Sequence, residues 1–444
     1  MFTLTVNGAQ VQTEQDGSLM ELLRGMGLTS VKDGCGQGAC GTCTVLADGK
    51  PVKACVQKIS KFQGRAIVTV EGLSPREKEV YTYAFGAAGA VQCGFCIPGM
   101  VLCAKGLIDR NPDPTRDEAA VAIRNNICRC TGYKKIIDAI LLAARLFREG
   151  AEHLSAPAVT GVGQRAHRLD VPEKVQGWGK YADDIQMEGM LYGSALRAAY
   201  PRARVLSIDT SAAEALPGVR AVCTFENTTA KLWNGAAPMF ITPLPHKPVL
   251  DQTIFTGEPK YIGDEVAGVA ADTEEIAAQA VKLIRVEWQQ LPAVYDPLEA
   301  VKPDAPQVQP RFANPEYNNI CGGPVILTFG GDPDEAFKHC DEVVEYRVKL
   351  PRVKQAQMET HGAVASYCPD GRLDVISTTQ APYPTKMILA EALDLPVSKV
   401  TVRNPPYVGG GFGVRIGLSG KAEILAAALS MKCGRPVKLI YTRE

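Results

Sequence analysis

The sequence contains the stretch Asp33-Gly34-Cys35-Gly36-Gln37-Gly38-Ala39-Cys40-Gly41-Thr42-Cys43. Cys55 follows it after eleven further residues. The first three cysteines follow the spacing C-x4-C-x2-C, and the stretch contains four glycines. Glycine lets a backbone turn tightly and brings N–H groups close to sulfur, so three thiolates can converge from one loop. Cys55 returns from a predicted hairpin, because an Asp-Gly turn at 48–49 separates two strand-like runs. The stretch therefore predicts a compact four-thiolate metal site.

The spacing of these cysteines is that of the [2Fe–2S] loop in plant-type ferredoxins. A zinc site is one alternative, but zinc sites more often use paired C-x2-C units and seldom a glycine-packed loop. Disulfide bonds are a second alternative, but they need an oxidising compartment, of which the sequence gives no sign. We therefore predict a first [2Fe–2S] cluster in a β-grasp domain, residues 1–75, held by Cys35, Cys40, Cys43 and Cys55.

Apolar residues in the next region, 76–150, recur about every 3.6 positions, which is typical of helices. The pattern predicts four helices, at 75–88, 99–109, 116–127 and 133–148. Two further cysteine pairs lie in the loops between these helices, in Gln92-Cys93-Gly94-Phe95-Cys96 and Cys128-Arg129-Cys130. A four-helix unit would place both loops side by side. This arrangement predicts a second [2Fe–2S] cluster, held by Cys93, Cys96, Cys128 and Cys130.

Composition and charge describe an ordinary globular protein. Of the 444 residues, 46% are hydrophobic and 22% are charged. Lys plus Arg and Asp plus Glu each number 48, so the net charge is zero and we expect neither a nucleic-acid nor a membrane partner. The first residues do not resemble a secretory signal, and no apolar run reaches membrane-spanning length. We therefore expect a cytoplasmic protein, whose reduced thiols are free to bind metal.

The pattern changes again beyond the predicted four-helix unit. Residues 151–165 lose the helical period and are interpreted as a linker. Two β-α-β units are predicted within residues 166–300. A mixed α/β region is predicted within 301–444, beginning near Val343. Single cysteines in these regions and Cys103 are interpreted as small buried hydrophobic residues.

Two features of the last region carry candidate function. One is Gln380, which directly follows a predicted strand. The other is the loop Gly409-Gly410-Gly411-Phe412-Gly413. Four glycines around one Phe indicate that the backbone closely approaches another group, although a tight strand–helix turn or a phosphate-binding loop would also explain them.

Taken together, the motifs GCGQGACGTC, QCGFC and CRCTGY resemble the twin [2Fe–2S] domains of the xanthine dehydrogenase/aldehyde oxidoreductase family of molybdenum hydroxylases. The resemblance implies an α+β multidomain fold: a β-grasp ferredoxin-like domain, a four-helix [2Fe–2S] domain, an α/β hammerhead domain and a partial molybdopterin-binding α/β domain. It also implies a molybdenum–molybdopterin cofactor, expected in its cytosine dinucleotide form. The residues implied to bind it are Gln92, Gln380, Gly410, Gly411, Phe412 and Gly413.

The resemblance also bears on partners, because the sequence stops about midway through the family's molybdenum-binding region. In the family, the second half supplies most pterin contacts and a glutamate general base, so no catalytic residue is expected in this chain. We therefore expect a second molybdenum-binding polypeptide to complete the active site. The alternative is a truncated product that keeps only the clusters. FAD, where present, is expected in a separate subunit.

The implied activity is hydroxylation of a small molecule with water-derived oxygen, with electrons leaving through the two clusters. The resemblance aligns Val414-Arg415-Ile416 with the Gly-Lys-Glu sequence of xanthine oxidases. Ile416 thus stands where those enzymes have a glutamate that contacts the purine, so xanthine itself is not expected. Gln380 is shared with enzymes that act on purines and other N-heterocycles, which favours such a substrate. An aldehyde oxidoreductase is the first alternative. An electron-transfer iron–sulfur protein without a hydroxylase site is the alternative from another class.

Overall fold

The structure is a computed structural model that describes residues 1–158, 161–164, 166–235, 250–309, 318–320, 329–418 and 420–443. The chain divides into two compact units. The first contains Met1–Leu191, Ala356–Thr385 and Val400–Glu444, and the second contains Tyr192–Gln355 and Lys386–Lys399.

A five-stranded sheet and one helix form the N-terminal domain of the first unit. The elements are β1 (Phe2–Val6), β2 (Ala9–Thr13), α1 (Leu19–Gly25), β3 (Thr44–Ala47), β4 (Lys50–Lys53) and β5 (Ala66–Val68). The strand order is β2-β1-β5-β3-β4. Both hairpin turns have positive φ at both central residues, Asn7-Gly8 and Asp48-Gly49, as tight two-residue turns require. The predicted β-grasp domain is confirmed. A Ser18–Glu21 capping box begins α1.

Four helices follow, as the sequence predicts. They are α2 (Pro75–Ala87), α3 (Ile97–Ile108), α4 (Arg116–Ala122) and α5 (Lys134–Arg148). Capping boxes begin α2 at Ser74 and α4 at Thr115. The third helix is shorter than predicted, because the chain leaves the helix at Ile123 and turns so that Asn126 is buried. Helix α3 is buried almost all round, so it is the central helix of this domain.

A buried ion pair joins the N-terminal domain to the segment that follows the helices. This segment contains α6 (Val171–Val175) and a 3-10 turn at Ala182–Asp184. Lys32 Nζ lies 2.6 Å from Asp184 Oδ2, and Arg24 Nη1 lies 3.1 Å from Asp184 Oδ1. Burial opposes ionisation of Asp184, but the charges of Lys32 and Arg24 outweigh it and hold its pKa below the ordinary value. The carboxylate is therefore the stable form.

We expect Asp184→Asn to lower the free energy of unfolding by about 3 kcal/mol, because it leaves the Lys32 ammonium buried without its carboxylate. The folded-state pKa of Asp184 is depressed, so its stabilisation is present above the unfolded value of about 3.9 and is lost as pH falls through the folded pKa. Chemical denaturation between pH 7 and pH 3 checks both points. The control is Asp138→Asn, whose partner Arg116 is exposed. Equal losses in the two variants would contradict the expectation.

The second unit contains antiparallel strands and several helices. Its elements are β6 (Leu191–Arg197), β7 (Ala203–Asp209), α7 (Ser211–Glu214), β8 (Val219–Thr224), β9 (Glu265–Ala271), α8 (Glu274–Leu283), β10 (Arg285–Gln290), α9 (Pro297–Ala300) and α10 (Pro333–Phe337). Helices α7 and α8 pack against strands β8 and β9. The strands of the two predicted β-α-β units are present, but they pair between the units. Strand β7 pairs with β10 and β8 pairs with β9, both antiparallel, and β6 lies on the other edge of β9.

The C-terminal part of the chain contains β11 (Gly362–Tyr367), β12 (Leu373–Ser377), α11 (Pro382–Ala392), β13 (Val400–Arg403), α12 (Ala422–Cys433) and β14 (Val437–Ile440). Strands β13, β12, β11 and β14 are neighbours in that order, with β13 parallel to β12. The expectation that regular structure begins near Val343 is wrong. Residues 343–353 are exposed and contain no helix or strand, and the first strand begins at Gly362.

Candidate functional site

Backbone N–H groups of the first cysteine loop point at its sulfur atoms. The N–H groups of Gln37 and Cys40 each donate to Cys35 Sγ at 3.4 Å, and the Gly38 N–H donates to Cys55 Sγ at 3.3 Å. Gly36 and Gly38 have φ values of 61° and 71°, a region that favours glycine. Donors aimed at sulfur stabilise negative charge, so the loop is built for thiolates.

The thiols of this loop form two pairs, Cys35 with Cys40 and Cys43 with Cys55. The hydrogen bond from Cys43, helped by the Gly38 N–H and opposed by burial, lowers the pKa of Cys55 to about 6. Burial raises the pKa of Cys40 to about 11. Each of these two pairs therefore contains one sulfur that is readily ionised and one that keeps its proton until a metal displaces it.

The second set of cysteines is equally close. Cys93 Sγ and Cys130 Sγ lie 3.4 Å apart, and Cys96 contacts Cys128. Hydrogen bonds from the Cys130 and Cys96 thiols lower the pKa of Cys128 to about 2, and the Thr131 hydroxyl donates to its Sγ at 3.2 Å. The eight predicted cysteines therefore lie in two separate groups of four. In the part of the chain that the structure describes, no three His, Cys, Asp or Glu side chains surround a single-ion site.

The two cysteine loops lie against each other. The Ile127 N–H donates to the Cys40 carbonyl at 2.8 Å, and Asn126 Nδ2 donates to the Gly41 carbonyl at 2.8 Å. A side chain on Gly41 would not fit, because its Cβ would lie 3.0 Å from the Asn126 backbone. The Asn126 contact explains why α4 ends early. The hydrogen bonds of Asn126 and Ile127 to the first cysteine loop also connect the two groups of sulfurs.

Three side chains, two of them from outside the second cysteine loop, hold this loop in place. Tyr181 Oη donates to the Cys93 carbonyl at 2.7 Å, Lys174 Nζ donates to the Gln92 carbonyl at 2.9 Å, and Gln92 Nε2 donates to the Cys130 carbonyl at 3.0 Å. Sequence reasoning singled out Gln92 but missed Tyr181 and Lys174. Both lie more than 75 residues from the loop they support, and no local pattern marks them.

The glycine-rich loop and Gln380 are also brought together. Gln380 Oε1 accepts from the Gly413 N–H at 2.9 Å, and the Gln380 N–H donates to the Arg415 carbonyl at 2.8 Å. A Cβ on Gly411 would lie 2.5 Å from Gln380 Oε1, so only glycine fits there. Phe412 has a positive φ of 54° and a ring that is 45% exposed. A strained, exposed aromatic residue at the tip of a glycine loop is typical of a binding surface.

A buried ion pair, which sequence reasoning missed, fixes the base of this loop. Glu359 Oε2 lies 2.8 Å from Arg415 Nη1 and accepts from the Gly409 N–H at 2.6 Å. Both side chains are almost fully buried. Burial raises the pKa of Glu359, and the Arg415 charge opposes that shift. Arg415 therefore faces inward, away from any ligand, whereas Ile416 beside it is 43% exposed.

We expect Glu359→Gln to lower the free energy of unfolding by about 3–5 kcal/mol, because the Arg415 guanidinium would remain buried without a countercharge. Thermal denaturation measures the change. Glu335→Gln, which breaks an exposed pair with Lys338, should leave stability within experimental error. A Glu359→Gln protein as stable as the wild type would show that the pair does not hold the loop.

The glycine-rich loop also packs directly on the second cysteine loop. A Cβ on Gly409 would lie 3.0 Å from the ring of Phe95, one of the two residues between Cys93 and Cys96. On the other side, the Arg443 guanidinium donates to the Gly34 carbonyl at 2.6 Å and the Met358 carbonyl at 2.6 Å. The first unit thus places both cysteine groups and the glycine-rich loop in one continuous site.

The interpretation of the single cysteines is only partly right. Cys103 and Cys223 are buried, but Cys340 is exposed and Cys368 and Cys433 are half-buried. Cys340 lies three residues beyond the end of helix α10 at Phe337, on the exposed stretch 329–354, where no core is available to bury it. Cys321 lies outside the described residues.

Four families match consecutive parts of the chain. The 2Fe-2S iron-sulfur cluster binding domain matches residues 10–80, the [2Fe-2S] binding domain 69–141, the aldehyde oxidase and xanthine dehydrogenase a/b hammerhead domain 176–292, and the molybdopterin cofactor-binding domain 315–444. The chain therefore combines two [2Fe–2S] domains with a hammerhead domain and part of a molybdopterin cofactor-binding domain. The chain belongs to the xanthine dehydrogenase/aldehyde oxidoreductase family.

Individual relatives cover the chain differently. An aldehyde oxidoreductase of Megalodesulfovibrio gigas is 32% identical over 99% of this chain and 49% of its own length. The solved aldehyde oxidoreductase from Desulfovibrio gigas superposes with a TM-score of 0.87 at 30% identity, again over 99% of this chain and 49% of that one. The nicotinate dehydrogenase small FeS subunit of Eubacterium barkeri is 47% identical over 32% of this chain and 92% of its own length. This chain thus spans about half the length of the aldehyde oxidoreductases it matches.

The predicted fold class is confirmed by these matches. The chain carries two [2Fe–2S] domains, the hammerhead domain and part of the molybdenum-binding domain. Among the described residues, no helix combines the length and the apolar character needed to cross a membrane.

Proposed function

We propose that this chain is the iron–sulfur and molybdenum subunit of a hydroxylase that oxidises a purine or another N-heterocycle. The observation that carries the proposal is the packing of the glycine-rich loop, 409–413, on the Phe95 loop between Cys93 and Cys96. A cofactor bound at the glycine-rich loop would lie next to a cluster, which is what removal of electrons from a substrate requires.

Each group of residues has a role in this proposal. The eight cysteines would hold two [2Fe–2S] clusters, with Cys35, Cys40, Cys43 and Cys55 around the first and Cys93, Cys96, Cys128 and Cys130 around the second. Gln92, whose side chain links the two loops of the second cysteine group, would contact the pterin. When bound, molybdenum supplies a Lewis-acidic centre that accepts two electrons from the substrate. The dinucleotide form of the cofactor is proposed to carry cytosine.

Gln380 orients an oxygen ligand of the cofactor in this proposal. Its Oε1 is held by the Gly413 N–H, and within the described residues its Nε2 has no hydrogen-bond partner. The Nε2 group is therefore available to donate to an oxygen. Gly410, Gly411 and Phe412 shape the surface around it. The backbone of the loop approaches the cofactor where side chains would not fit.

The electrons leave through the two cysteine loops in this proposal. The Ile127 N–H bonded to the Cys40 carbonyl gives a short covalent and hydrogen-bonded connection between the second cluster and the first. The two groups of cysteines would hold clusters that supply one-electron transfer toward an acceptor, which we propose to be FAD in a separate subunit. Protein residues tune this transfer through N–H groups aimed at the sulfurs.

An N-heterocycle is favoured as the substrate for two reasons. The relative with 47% identity in the iron–sulfur region is named for nicotinate, an N-heterocycle. The exposed residue beside the glycine-rich loop is Ile416, which offers an aromatic ring an apolar contact but offers xanthine no polar one. An aldehyde is the second candidate, favoured by the aldehyde oxidoreductase that matches 99% of this chain.

A second polypeptide completes the molybdenum site and supplies the general base in this proposal. The relatives that match this chain along its whole length are about twice as long. The matched subunit of nicotinate dehydrogenase carries only the iron–sulfur part as a separate chain. These modules therefore occur on separate chains within the family, which supports a multi-subunit enzyme.

The proposal is tested by isolating the tagged protein from producing cells and assaying reduction of an artificial dye with a panel of substrates. Nicotinate, hypoxanthine, xanthine, quinoline and benzaldehyde cover the candidates. We expect turnover with at least one N-heterocycle other than xanthine. Turnover with benzaldehyde alone would establish the second candidate. No turnover by a molybdenum-free protein with intact clusters would instead support a simple electron carrier.

A further inference from the structure

Residues 344–350 of the second unit, which follow Val343, alternate strictly between apolar and polar side chains. The even positions are Val344, Tyr346, Val348 and Leu350, and the odd positions between them are Glu345, Arg347 and Lys349. Alternation with period two is typical of a β-strand that buries one face. A bend at Asp341 precedes the stretch, and Pro351 ends it, as proline ends strands. The stretch therefore has the sequence of a strand with defined limits.

The apolar face of this stretch is not buried in the chain itself. The exposed fractions of Val344, Tyr346, Val348 and Leu350 are 64%, 85%, 75% and 83%. Within the described ranges 250–309, 318–320 and 329–355, the stretch belongs to no strand and forms no backbone hydrogen bond. A row of four exposed large apolar side chains is rare on a protein surface that contacts only solvent. Extended backbone whose N–H and C=O groups are unpaired readily pairs with another strand.

We propose that residues 343–350 are the docking strand for the molybdenum-binding polypeptide that completes the site. The inference rests on the proposed function and specifies where that partner binds. The stretch lies inside residues 315–444, the part that matches the molybdopterin cofactor-binding family. We take the covering surface to come from the rest of this molybdenum-binding region. That region is only partly contained in this chain, which spans 49% of its aldehyde oxidoreductase relative.

The chemistry of the partner surface follows from the two faces. The partner presents the open edge of a sheet, whose N–H and C=O groups pair with those of residues 343–350. It also presents a row of apolar pockets for the even-numbered side chains. Backbone pairing supplies affinity in such strand addition, and the alternate side chains supply specificity. The odd-numbered charged residues face solvent.

A second copy of this chain is the competing occupant. In an antiparallel pair centred on Tyr346, Val344 would face Val348 and Glu345 would face Arg347 of the other copy. Such a pair would form the backbone hydrogen bonds and cover the apolar side chains of residues 343–350 without a different partner. Only an experiment that identifies the occupant separates the two cases.

The test uses the complex isolated from producing cells through a tag on this chain. Native mass spectrometry identifies the partner, and hydrogen exchange is measured for the peptide 341–352 in the complex and in the separated chain. We expect one partner that carries a molybdenum-binding sequence. Amide exchange in the peptide should be slowed about tenfold or more in the complex. Equally fast exchange in a molybdenum-containing, active complex would overturn the docking strand and leave the proposed function standing. A protected homodimer would also overturn it.

Matched variants distinguish the two faces. Val348→Glu places a charge on the apolar face, and Val348→Pro removes a backbone donor, so both should reduce recovery of the partner about tenfold or more. Arg347→Glu changes the charge of the opposite face and should retain the partner. The stretch makes no core contact in the separated chain, so the midpoint of thermal unfolding of that chain should not change in any variant. Equal recovery of the partner by all three variants would contradict the proposal.

Discussion

Cys128→Ala should remove the second cluster, leaving about two of the roughly four irons that two [2Fe–2S] clusters contain. The Cys128 sulfur has the most strongly lowered thiol pKa of its group, to about 2, because the Cys130 and Cys96 thiols and the Thr131 hydroxyl all donate to it. Without this ligand, the neighbouring sulfurs cannot enclose two irons. Iron analysis and the electron paramagnetic resonance spectrum of the reduced protein measure the loss.

The same variant should lower dye-linked turnover about a hundredfold or more, because electrons would lose their path from the glycine-rich loop to the first cluster. The control is Cys103→Ala in the same domain. Burial raises the pKa of Cys103 to about 12, and its thiol bonds to Asn126 and not to another cysteine. This variant should keep all its iron. Loss of iron from Cys103→Ala but not from Cys128→Ala would mean that the ligands are assigned wrongly.

Gly411→Ala should also lower turnover about a hundredfold, but with the iron content unchanged. The added Cβ would lie 2.5 Å from Gln380 Oε1, so Gln380 must move and lose its bond to the Gly413 N–H. Overpacking of this kind typically costs about 1–3 kcal/mol, and the loop cannot yield because Glu359 and Arg415 hold its base. Turnover, molybdenum content and iron content are measured together.

Gly25→Ala is the control for this substitution. A Cβ on Gly25 meets no atom within 4 Å, so this variant should retain turnover and both metals. The two changes are chemically identical and differ only in the space available. Wild-type turnover by Gly411→Ala would contradict the placement of the cofactor at this loop.

Much of the fold follows from local sequence. The hairpin turns at Asn7-Gly8 and Asp48-Gly49 and the capping boxes at Ser74 and Thr115 are each set by residues within four positions. Such signals can be recognised without knowing the rest of the structure. The cysteine spacings are equally local, and the structure brings together the eight thiols that the sequence predicts.

The rest depends on contacts between distant residues. Glu359 and Arg415 are 56 positions apart, and each looks like an ordinary surface charge in the sequence. Tyr181 contacts Cys93 across 88 positions. The early end of α4 is set by the contact of Asn126 with Gly41, which no helix signal encodes. Residues 343–350 show the opposite case, because the period-two pattern predicts a strand for which the described residues supply no partner.

The most direct test of the account is the metal content of the complex isolated from producing cells, combined with paramagnetic resonance after addition of substrate. We predict about four irons per copy of this chain, molybdenum in the same complex, and two distinct [2Fe–2S] signals that appear when an N-heterocycle is added. A colourless protein with zinc or no metal at the eight cysteines would contradict the account. Clusters that neither an N-heterocycle nor an aldehyde can reduce would contradict it equally.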